Sequence, residues 1–374
     1  MRGTMIQKMS ENSAASGIGD AWFASNGPES DVVISTRVRL ARNLANFPFP
    51  TRFRDDDADH VRGIVFDAFS HCSSPDNYQA VITSNLDLVG KKILCERGVM
   101  EPSTPVSTGS GIVISTDGVL SCIVNGVDHV RLSSFLPGLS GIEAFEIVKR
   151  VDDELQNSLQ FAASVDHGYL TSDISDCGSG MKVSCRVHLP SITFANKLKD
   201  VLIEFSRRGI DIRDTFGLGH DKNSALGSFY QVSTKVAGNG SEIEQMAGLI
   251  GAVKFLSETE RKISKEIFGI RPTEIKDRIY KAYASSKFSF LLTEKDAVEA
   301  ISLLKWGKNL GIVSGVSDSE LCALLYRIRS GHLSFLMKSR DFSFPADVAK
   351  ISLLKENSLR SVILQETFSA LSFN

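Results

Sequence analysis

The sequence predicts an α+β protein in which a mixed region precedes a helical region. Short runs rich in β-branched residues, separated by Gly, Pro, Ser and Asp, lie between about 78 and 133 and predict strands. Apolar residues at helical spacing follow at about 141–165. Strands and helices mixed over 30–270, followed by helices alone over 271–374, predict an α+β domain and a C-terminal helical domain.

The first half of the mixed region is predicted to consist mainly of strands. The run DVVIST at 31–36 leads into the basic segment RVRLAR, and a polar stretch at roughly 55–71 has helical potential. Four further runs predict strands: YQAVITS, KKILCE, GIVIST and LSCIVN.

The second half alternates helices and strands. The helix at about 141–165 is followed by MKVSCRVHLPSI, which alternates as a strand does, and then by a helix at about 195–208. A Gly-rich polar loop occupies 214–228, and FYQVSTKVAG resumes strand character.

A long helix closes the mixed region. Ser241, with Glu244 three residues later, is a capping-box signature and predicts a helix through about 268, which Pro272 punctuates. In the helical region that follows, Trp306 lies on a helical face and is expected in the core or in a dimer contact.

Composition excludes several classes of protein. Hydrophobic content of 42% and charged content of 23% are ordinary for a soluble globular protein. The formal net charge of −2 argues against a nucleic-acid surface spread over the whole molecule. No run approaches about 18 consecutive apolar residues, so no membrane span is expected.

The ends and the cysteines favour a cytoplasmic protein. Residues 1–29 are expected to form a flexible N-terminus, and the first twenty of them lack the apolar core of a secretory signal. The six cysteines form no CxxC pair, and free thiols in a reducing compartment are the expectation. The histidines have no spacing typical of a metal site, so no metal is predicted.

Three motifs together resemble one family. They are DVVISTRVRLARNLANFPFP at 31–50, HGYLTSDISDCGSGMKVSCRVHLPSI at 167–192 and FGLGHDKNSALGSFYQVSTKVAGNGSE at 216–242. They resemble, respectively, the Ser-Ser/Thr-Arg-x-Arg motif, the Thr-Ser-Cys-Pro-Thr-Asn-x-Gly motif and the flexible loop of ATP:guanidino phosphotransferases. The helical region 271–374 is similar to the extra domain of bacterial protein arginine kinases.

The resemblance implies a phosphagen-kinase-like fold, with a mainly antiparallel sheet flanked by helices over 30–270. It also implies ATP with Mg²⁺ as cofactor and protein arginine side chains as substrate. The helical domain would serve dimerisation and substrate docking. Implied partners are a second copy of the chain, a zinc-finger activator protein and a Clp-type chaperone.

This chemistry requires cationic and anionic groups in one place. Arginines suit the polyphosphate because they are planar, permanently charged and bidentate. Carboxylates suit the guanidinium, since they orient it, and one of them can accept the proton that is lost.

The cationic half of the motif set is largely present. By resemblance, Arg37, Arg39 and Arg131 match phosphate-binding arginines, and Lys182 replaces another with the charge kept. Arginines at i and i+2 of a strand share one face. Lys182 also fits an ordinary solvent-facing lysine. Arg186, where some relatives place an adenine-stacking residue, fits either base stacking or outward display on an edge strand.

The anionic half is depleted. Gly126 and Val127 replace two glutamates in NGVDHVR, and Val127 stands where the catalytic one belongs. Asp173 replaces the motif cysteine and is expected to start a polar turn, or else to take over part of the guanidinium clamp. Phe216 replaces the arginine that opens the flexible loop, and Asp221 stands for the loop glutamate on a shorter arm, in a solvated loop or a residual lid.

These substitutions favour a protein-arginine-kinase homologue with impaired or absent catalysis. It would keep weak ATP binding and act as a regulatory or scaffolding partner. The alternative is an active kinase with a rebuilt site that uses Asp221, Asp128 or Asp173 as its acids. A third hypothesis is an assembly protein that has lost nucleotide binding as well.

Overall fold

The computed structural model describes residues 21–54, 56–217, 225–237 and 241–374. Within these ranges, no helix is both long enough and apolar enough to cross a membrane.

One large antiparallel sheet dominates the first two thirds of the chain. The strands, in chain order, are β1 (Val33–Arg42), β2 (Tyr78–Ile82), β3 (Gly111–Ser115), β4 (Leu120–Val124), β5 (Val130–Pro137), β6 (Ala163–Ser164), β7 (Gly168–Tyr169), β8 (Met181–His188), β9 (Ile210–Asp214), β10 (Phe229–Thr234), β11 (Val313–Ser314) and β12 (Ser372–Phe373). Eight of them form the sheet in the order β2-β3-β4-β5-β1-β8-β10-β9, and each neighbouring pair is antiparallel. Pairs β6–β7 and β11–β12 form two small separate sheets.

Helices flank this sheet and make up most of the C-terminal region. They are α1 (Asp57–Ser70), α2 (Leu88–Glu96), α3 (Gly141–Gln156), α4 (Pro190–Phe194), α5 (Leu198–Arg207), α6 (Glu242–Ile270), α7 (Pro272–Phe288), α8 (Glu294–Asn309), α9 (Asp318–Arg327), α10 (Ser330–Ser339) and α11 (Ser352–Thr367). The predicted α+β class with a mainly antiparallel sheet is confirmed.

Strand alternation divides the sheet into an apolar face and a polar face. In β1, Val38 and Leu40 are fully buried and alternate with Arg37 and Arg39. The apolar face packs against α3 and α6, whose buried residues include Val148 in the same core. The arginines are thereby directed to the opposite face.

A second core joins the sheet to the C-terminal helices. It contains Phe135 and Phe229 from the sheet together with Leu304 of α8 and Leu324 of α9. Trp306, 2% exposed, belongs to it, so of the two places expected for this residue, the core or a dimer contact, the core is observed.

Residues just before β1 also belong to this second core. Trp22 and Phe23 lie in a short 3₁₀ turn, and each is 7% exposed. The Phe23 ring stacks on Tyr326 of α9 at 4.5 Å between centroids, and Trp22 stacks on Phe135 at 5.8 Å. From the sequence, residues 1–29 are expected to form a flexible N-terminus. Within this range, Trp22 and Phe23 are instead packed into the second core.

The segment KKILCE is helical, and the prediction of a strand there is wrong. It lies within α2, where the Asp87 carboxylate caps the first turn by accepting a hydrogen bond from the Gly90 amide at 2.7 Å. Lys and Leu are good helix formers, so local propensity agrees with the N-cap. The helix predicted at about 141–165 ends at Gln156, since Phe161 already pairs with Leu44 in a β-bridge.

The capping box predicted for the long helix is confirmed. The Ser241 hydroxyl accepts from the Glu244 amide, and the Glu244 carboxylate accepts from the Ser241 amide at 2.7 Å. The resulting helix, α6, ends at Ile270, and Pro272 occupies the first turn of α7.

Candidate functional site

Three central strands bring basic side chains together on the polar face of the sheet. Arg39 in β1 lies directly opposite Ser133 in β5 and Lys182 in β8. Arg131 lies two residues before Ser133 on the same strand and therefore shares this face. Arg37, Arg39, Arg131 and Lys182 are called the basic cluster below.

Arg37 belongs to the basic cluster and has little compensating charge. Its Nη2 donates to the Ser133 hydroxyl at 3.2 Å, and its guanidinium lies 5.1 Å from the centre of the Phe135 ring. Burial, and then the charges of Arg39 and Arg131, lower the pKa of Arg37 to about 9. Its Nε is buried without a hydrogen-bond partner. A bound anion would relieve both costs.

Arg39 is paired with a carboxylate that the sequence analysis did not identify. Its Nη2 lies 2.5 Å from Asp176 Oδ2, and both side chains are nearly buried. Burial lowers the pKa of Arg39, as does the charge of Arg131, while Asp176 opposes the shift. The Nε of Arg39 has no partner. Asp176 thus pairs with one nitrogen of this guanidinium and leaves the neighbouring Nε without a partner.

Arg131 is paired with a second unforeseen carboxylate. Its Nη1 donates to Glu101 Oε1 at 2.9 Å. The Arg131 side chain is 8% exposed, whereas that of Glu101 is 45% exposed. The Nε of Arg131 is also buried without a partner. All three arginines therefore keep an unpaired donor inside the cluster.

Lys182 belongs to the basic cluster and is not an isolated surface lysine. It is partly buried and lies directly across from Arg39. Burial lowers its pKa, and the charge of Arg39 lowers it further. Lys182 therefore lies half-buried beside Arg39.

Arg186 is held by the C-terminal helices. Its strand, β8, lies between β1 and β10, so the expectation of outward display on an edge strand is wrong. Its Nη1 donates to the Tyr326 hydroxyl at 2.8 Å, and burial raises the pKa of that phenol to about 12. The centre of the Phe216 ring lies 5.2 Å from the guanidinium carbon of Arg186 and 5.4 Å from that of Arg329.

The loop between β4 and β5 has no carboxylate where the motif places two. Gly126 closes the loop by donating from its amide to the Asp128 carbonyl at 3.1 Å, and Val127 is 42% exposed at the tip. An isopropyl group there neither orients a guanidinium nor accepts a proton.

Asp128 has a structural role beneath this loop. It is 1% exposed, and its Oδ1 accepts from Asn43 Nδ2 at 2.8 Å and from the Ser172 amide at 2.7 Å. It thereby ties the residue after β1 and the segment after β7 to the loop. Its Oδ2 is buried without a partner.

Asp173 starts a polar turn, as predicted. Its Oδ1 accepts from the Ser175 amide at 3.0 Å and from the Ser175 hydroxyl at 2.9 Å, which caps the short 3₁₀ turn Ile174–Asp176. These hydrogen bonds lower the pKa of Asp173. Asp221 and its neighbours His220 and Lys222 lie outside the described residues.

Sequence reasoning therefore missed the two acids that contact the cluster. Asp176 carried a usable signal, because it stands where the Thr-Ser-Cys-Pro-Thr-Asn-x-Gly motif has asparagine. Glu101 carried none, since its contact joins residues 30 positions apart through the tertiary fold. Within the described part of the chain, no group of three or more His, Cys, Asp or Glu is arranged to hold a metal ion.

Two family models match the chain. The C-terminal catalytic domain of ATP:guanido phosphotransferases matches residues 60–263. The C-terminal domain of the protein-arginine kinase McsB matches residues 272–372.

Curated relatives match over most of the length of the chain. The protein-arginine kinase of Pelotomaculum thermopropionicum is 30% identical over 338 residues, covering 89% of this chain and 94% of the relative. That of Bacillus subtilis is 27% identical over 338 residues, covering 90% and 92%.

Solved structures show the same fold. A lombricine kinase superposes with a TM-score of 0.55 at 17% identity, covering 71% of this chain and 78% of that protein. The duplicated taurocyamine kinase of Schistosoma mansoni, with bound transition-state-analogue components, gives a TM-score of 0.55 at 21% identity. There the match covers 66% of this chain and 35% of the duplicated protein.

Proposed function

This chain belongs to the protein-arginine kinase family of ATP:guanido phosphotransferases, and we propose from that premise that it binds a nucleotide but transfers phosphoryl groups poorly or not at all. The observation that supports this most is the contrast within one site. Three arginines have unpaired donors that an anion could accept from. The loop that carries the glutamates in the family motif has Val127 at its tip instead.

The nucleotide half of the proposal depends on the basic cluster. The four cations of the basic cluster would hold the phosphates of ATP. The accompanying Mg²⁺ would neutralise part of the negative charge of the phosphates. The three buried Nε atoms fit this role, because an unpaired buried donor is costly without a ligand. Phe216 gives no charge to the cluster, so we expect weaker binding than a fifth cation would allow.

The proposed loss of catalysis depends on the hydrogen bonds that the remaining acids already make. Asp128 is buried and holds the loop, and Asp173 caps a turn. The Oδ1 atoms of both residues are engaged, so a guanidinium could be gripped only through Oδ2, and in Asp128 that atom is buried beneath the loop. Losing a general base typically costs about 10²–10⁴ in rate.

Transfer of label from γ-³²P-ATP with Mg²⁺ to an arginine-rich protein tests the impairment. We expect an initial rate at least about 100-fold below that of the Bacillus subtilis enzyme assayed in parallel. A rate within a few-fold of that enzyme contradicts the proposal.

The melting temperature with and without ATP–Mg²⁺ tests nucleotide binding. Ligand stabilisation grows with the ratio of concentration to dissociation constant, so even weak binding raises the melting temperature at millimolar ATP. An unchanged melting temperature, with no heat on calorimetric titration of ATP or ADP, favours a pure assembly protein.

Asp176 gives the alternative of an active kinase a specific basis. It is a carboxylate in the basic cluster, 2.5 Å from a nitrogen of Arg39. In an active enzyme it would supply the acid that Val127 lacks. If label does transfer, Asp176→Asn should abolish it with ATP affinity retained, and an unchanged rate excludes Asp176 from that role.

The proposed setting is regulatory. By family membership, the chain would form a homodimer through 271–374 in the cytoplasm and link a zinc-finger activator protein to a Clp-type chaperone. Analytical ultracentrifugation of the full chain tests the dimer, and a monomer at micromolar concentration contradicts it. Binding of the two candidate partners to immobilised chain tests the link, and no binding of either contradicts it.

A further inference from the structure

Glu101 places a negative charge inside the basic cluster. Its Oε1 lies 2.9 Å from Arg131 Nη1. Its charge also acts on Arg37 and Arg39, whose cationic forms it favours. The carboxylate thus occupies the position beside Arg131 Nη1 that a phosphate oxygen bound there would take.

Glu101 and Asp176 differ in how firmly they are held. Asp176 is 5% exposed and sits in the capped turn Ile174–Asp176, where its amide donates to the Asp173 carbonyl at 3.0 Å. The Glu101 side chain is 45% exposed, and in the segment that follows it residues 102, 103 and 105–108 are exposed. Asp176 is therefore fixed, whereas the Glu101 carboxylate can leave.

Leaving requires only rotation of the side chain. The Glu101 backbone is anchored by two hydrogen bonds with Thr104, at 3.0 Å from the Glu101 amide to the Thr104 hydroxyl and at 2.9 Å from the Thr104 amide to the Glu101 carbonyl. Neither bond involves the carboxylate. Rotation towards solvent breaks the ion pair with Arg131 and rehydrates a group that is already half-exposed.

We infer that Glu101 is an internal competitor for phosphate at Arg131. This inference rests on the proposed nucleotide binding and names its regulation. In the ligand-free protein the Glu101 carboxylate satisfies Arg131, and a nucleotide phosphate exchanges with it. Binding is therefore weaker than the arginines alone would give, and any partner that draws the 101–108 segment away strengthens it.

Calorimetric titration with ADP tests the competition, since ADP binds without turnover. The proteins are wild type, Glu101→Gln and, as a matched control, Glu258→Gln, which removes one charge from an exposed position of α6. Glutamine keeps the length of the side chain and loses its charge. At about 0.15 M salt, charges more than about 8 Å apart are largely screened, so a distant charge change has little effect.

We expect Glu101→Gln to bind ADP about three- to tenfold more tightly than wild type, with Glu258→Gln within twofold of wild type. Tightening is diagnostic, because loss of a merely structural ion pair would loosen the site. Equal or weaker binding by Glu101→Gln overturns the competition and leaves nucleotide binding standing. Absence of heat from all three proteins overturns nucleotide binding itself, and the inference with it.

Discussion

At the scale of single residues, Arg37 shows a conflict between stability and binding. It is a cation surrounded by cations on a partly buried surface, and its Nε has no partner. Its pKa of about 9 in the folded chain lies below the ordinary value, so the charged form is disfavoured by folding. Such a residue is retained at a cost when it serves a ligand.

Replacing Arg37 with methionine should separate the two effects. We expect Arg37→Met to leave the free energy of unfolding unchanged or to raise it by about 1 kcal/mol, because a buried charge is replaced by an apolar chain. ADP affinity should fall at least about tenfold, since a phosphate contact is lost. Urea denaturation and calorimetry measure the two quantities.

The control is Arg150→Met, which removes an exposed charge from α3 on the other side of the sheet. It should change neither quantity appreciably. Marked destabilisation by Arg37→Met, together with unaltered ADP affinity, would mean that Arg37 is structural.

At the scale of elements, one buried carboxylate anchors a short helix. Glu260 of α6 accepts from the Ser191 amide at 2.7 Å and from the Ile192 amide at 2.9 Å, at the start of α4. The side chain caps two amides that would otherwise be unsatisfied. Burial raises the pKa of Glu260 to about 7.

This raised pKa makes stability fall with rising pH. Between about pH 4.5 and 7 the folded chain holds a proton on Glu260 that the unfolded chain has released, so the free energy of unfolding decreases across this window and levels off above it. Glu260→Gln cannot titrate at this position. Its free energy of unfolding should therefore lack this pH-dependent decrease, which amounts to about 3 kcal/mol at most. Urea denaturation of both proteins at pH 5, 6, 7 and 8 measures the difference.

Two buried histidines have the opposite effect on the pH dependence of stability, and both wild type and Glu260→Gln contain them. Burial lowers the pKa of His129 and of His332 to about 4, so their contribution to stability rises with pH up to about 6.5. Subtracting the two stability profiles removes this term. Parallel profiles for wild type and Glu260→Gln would show that Glu260 does not titrate in this window.

At the scale of the whole molecule, the sheet and the C-terminal helices share a core. Trp22 and Phe23 enter it from the segment before β1, and Arg186 donates a hydrogen bond to the Tyr326 hydroxyl across it. A shared core of this kind couples the unfolding of its parts. The two tryptophans of the chain report on its two sides, Trp22 beside the sheet and Trp306 in α8.

Two single-tryptophan proteins should therefore unfold in one step. For Trp22→Phe and for Trp306→Phe, we expect the remaining fluorescence and the far-ultraviolet circular dichroism to give the same urea midpoint within each protein. Phenylalanine keeps an aromatic side chain, so the core should be weakened without being lost. Separated midpoints would show that the two regions unfold independently.

Local patterns predicted the parts of the fold that local physics determines. Alternation placed Arg37 and Arg39 on one face, and the Ser241 capping box marked the start of α6. The strand predicted for KKILCE failed, because the cap at Asp87 lies outside the run. Glu101 could not be foreseen, since a contact between β5 and the segment after α2 depends on how the whole sheet assembles.

The position of β1 in the sheet has a practical consequence for anyone trimming this protein. The matched catalytic region begins at residue 60, whereas β1 is Val33–Arg42 and runs between β5 and β8. A fragment cut at that limit would separate four strands, β2 to β5, from the three on the other side. It would also discard two of the four cations, so a negative binding result from it would say nothing about the intact chain.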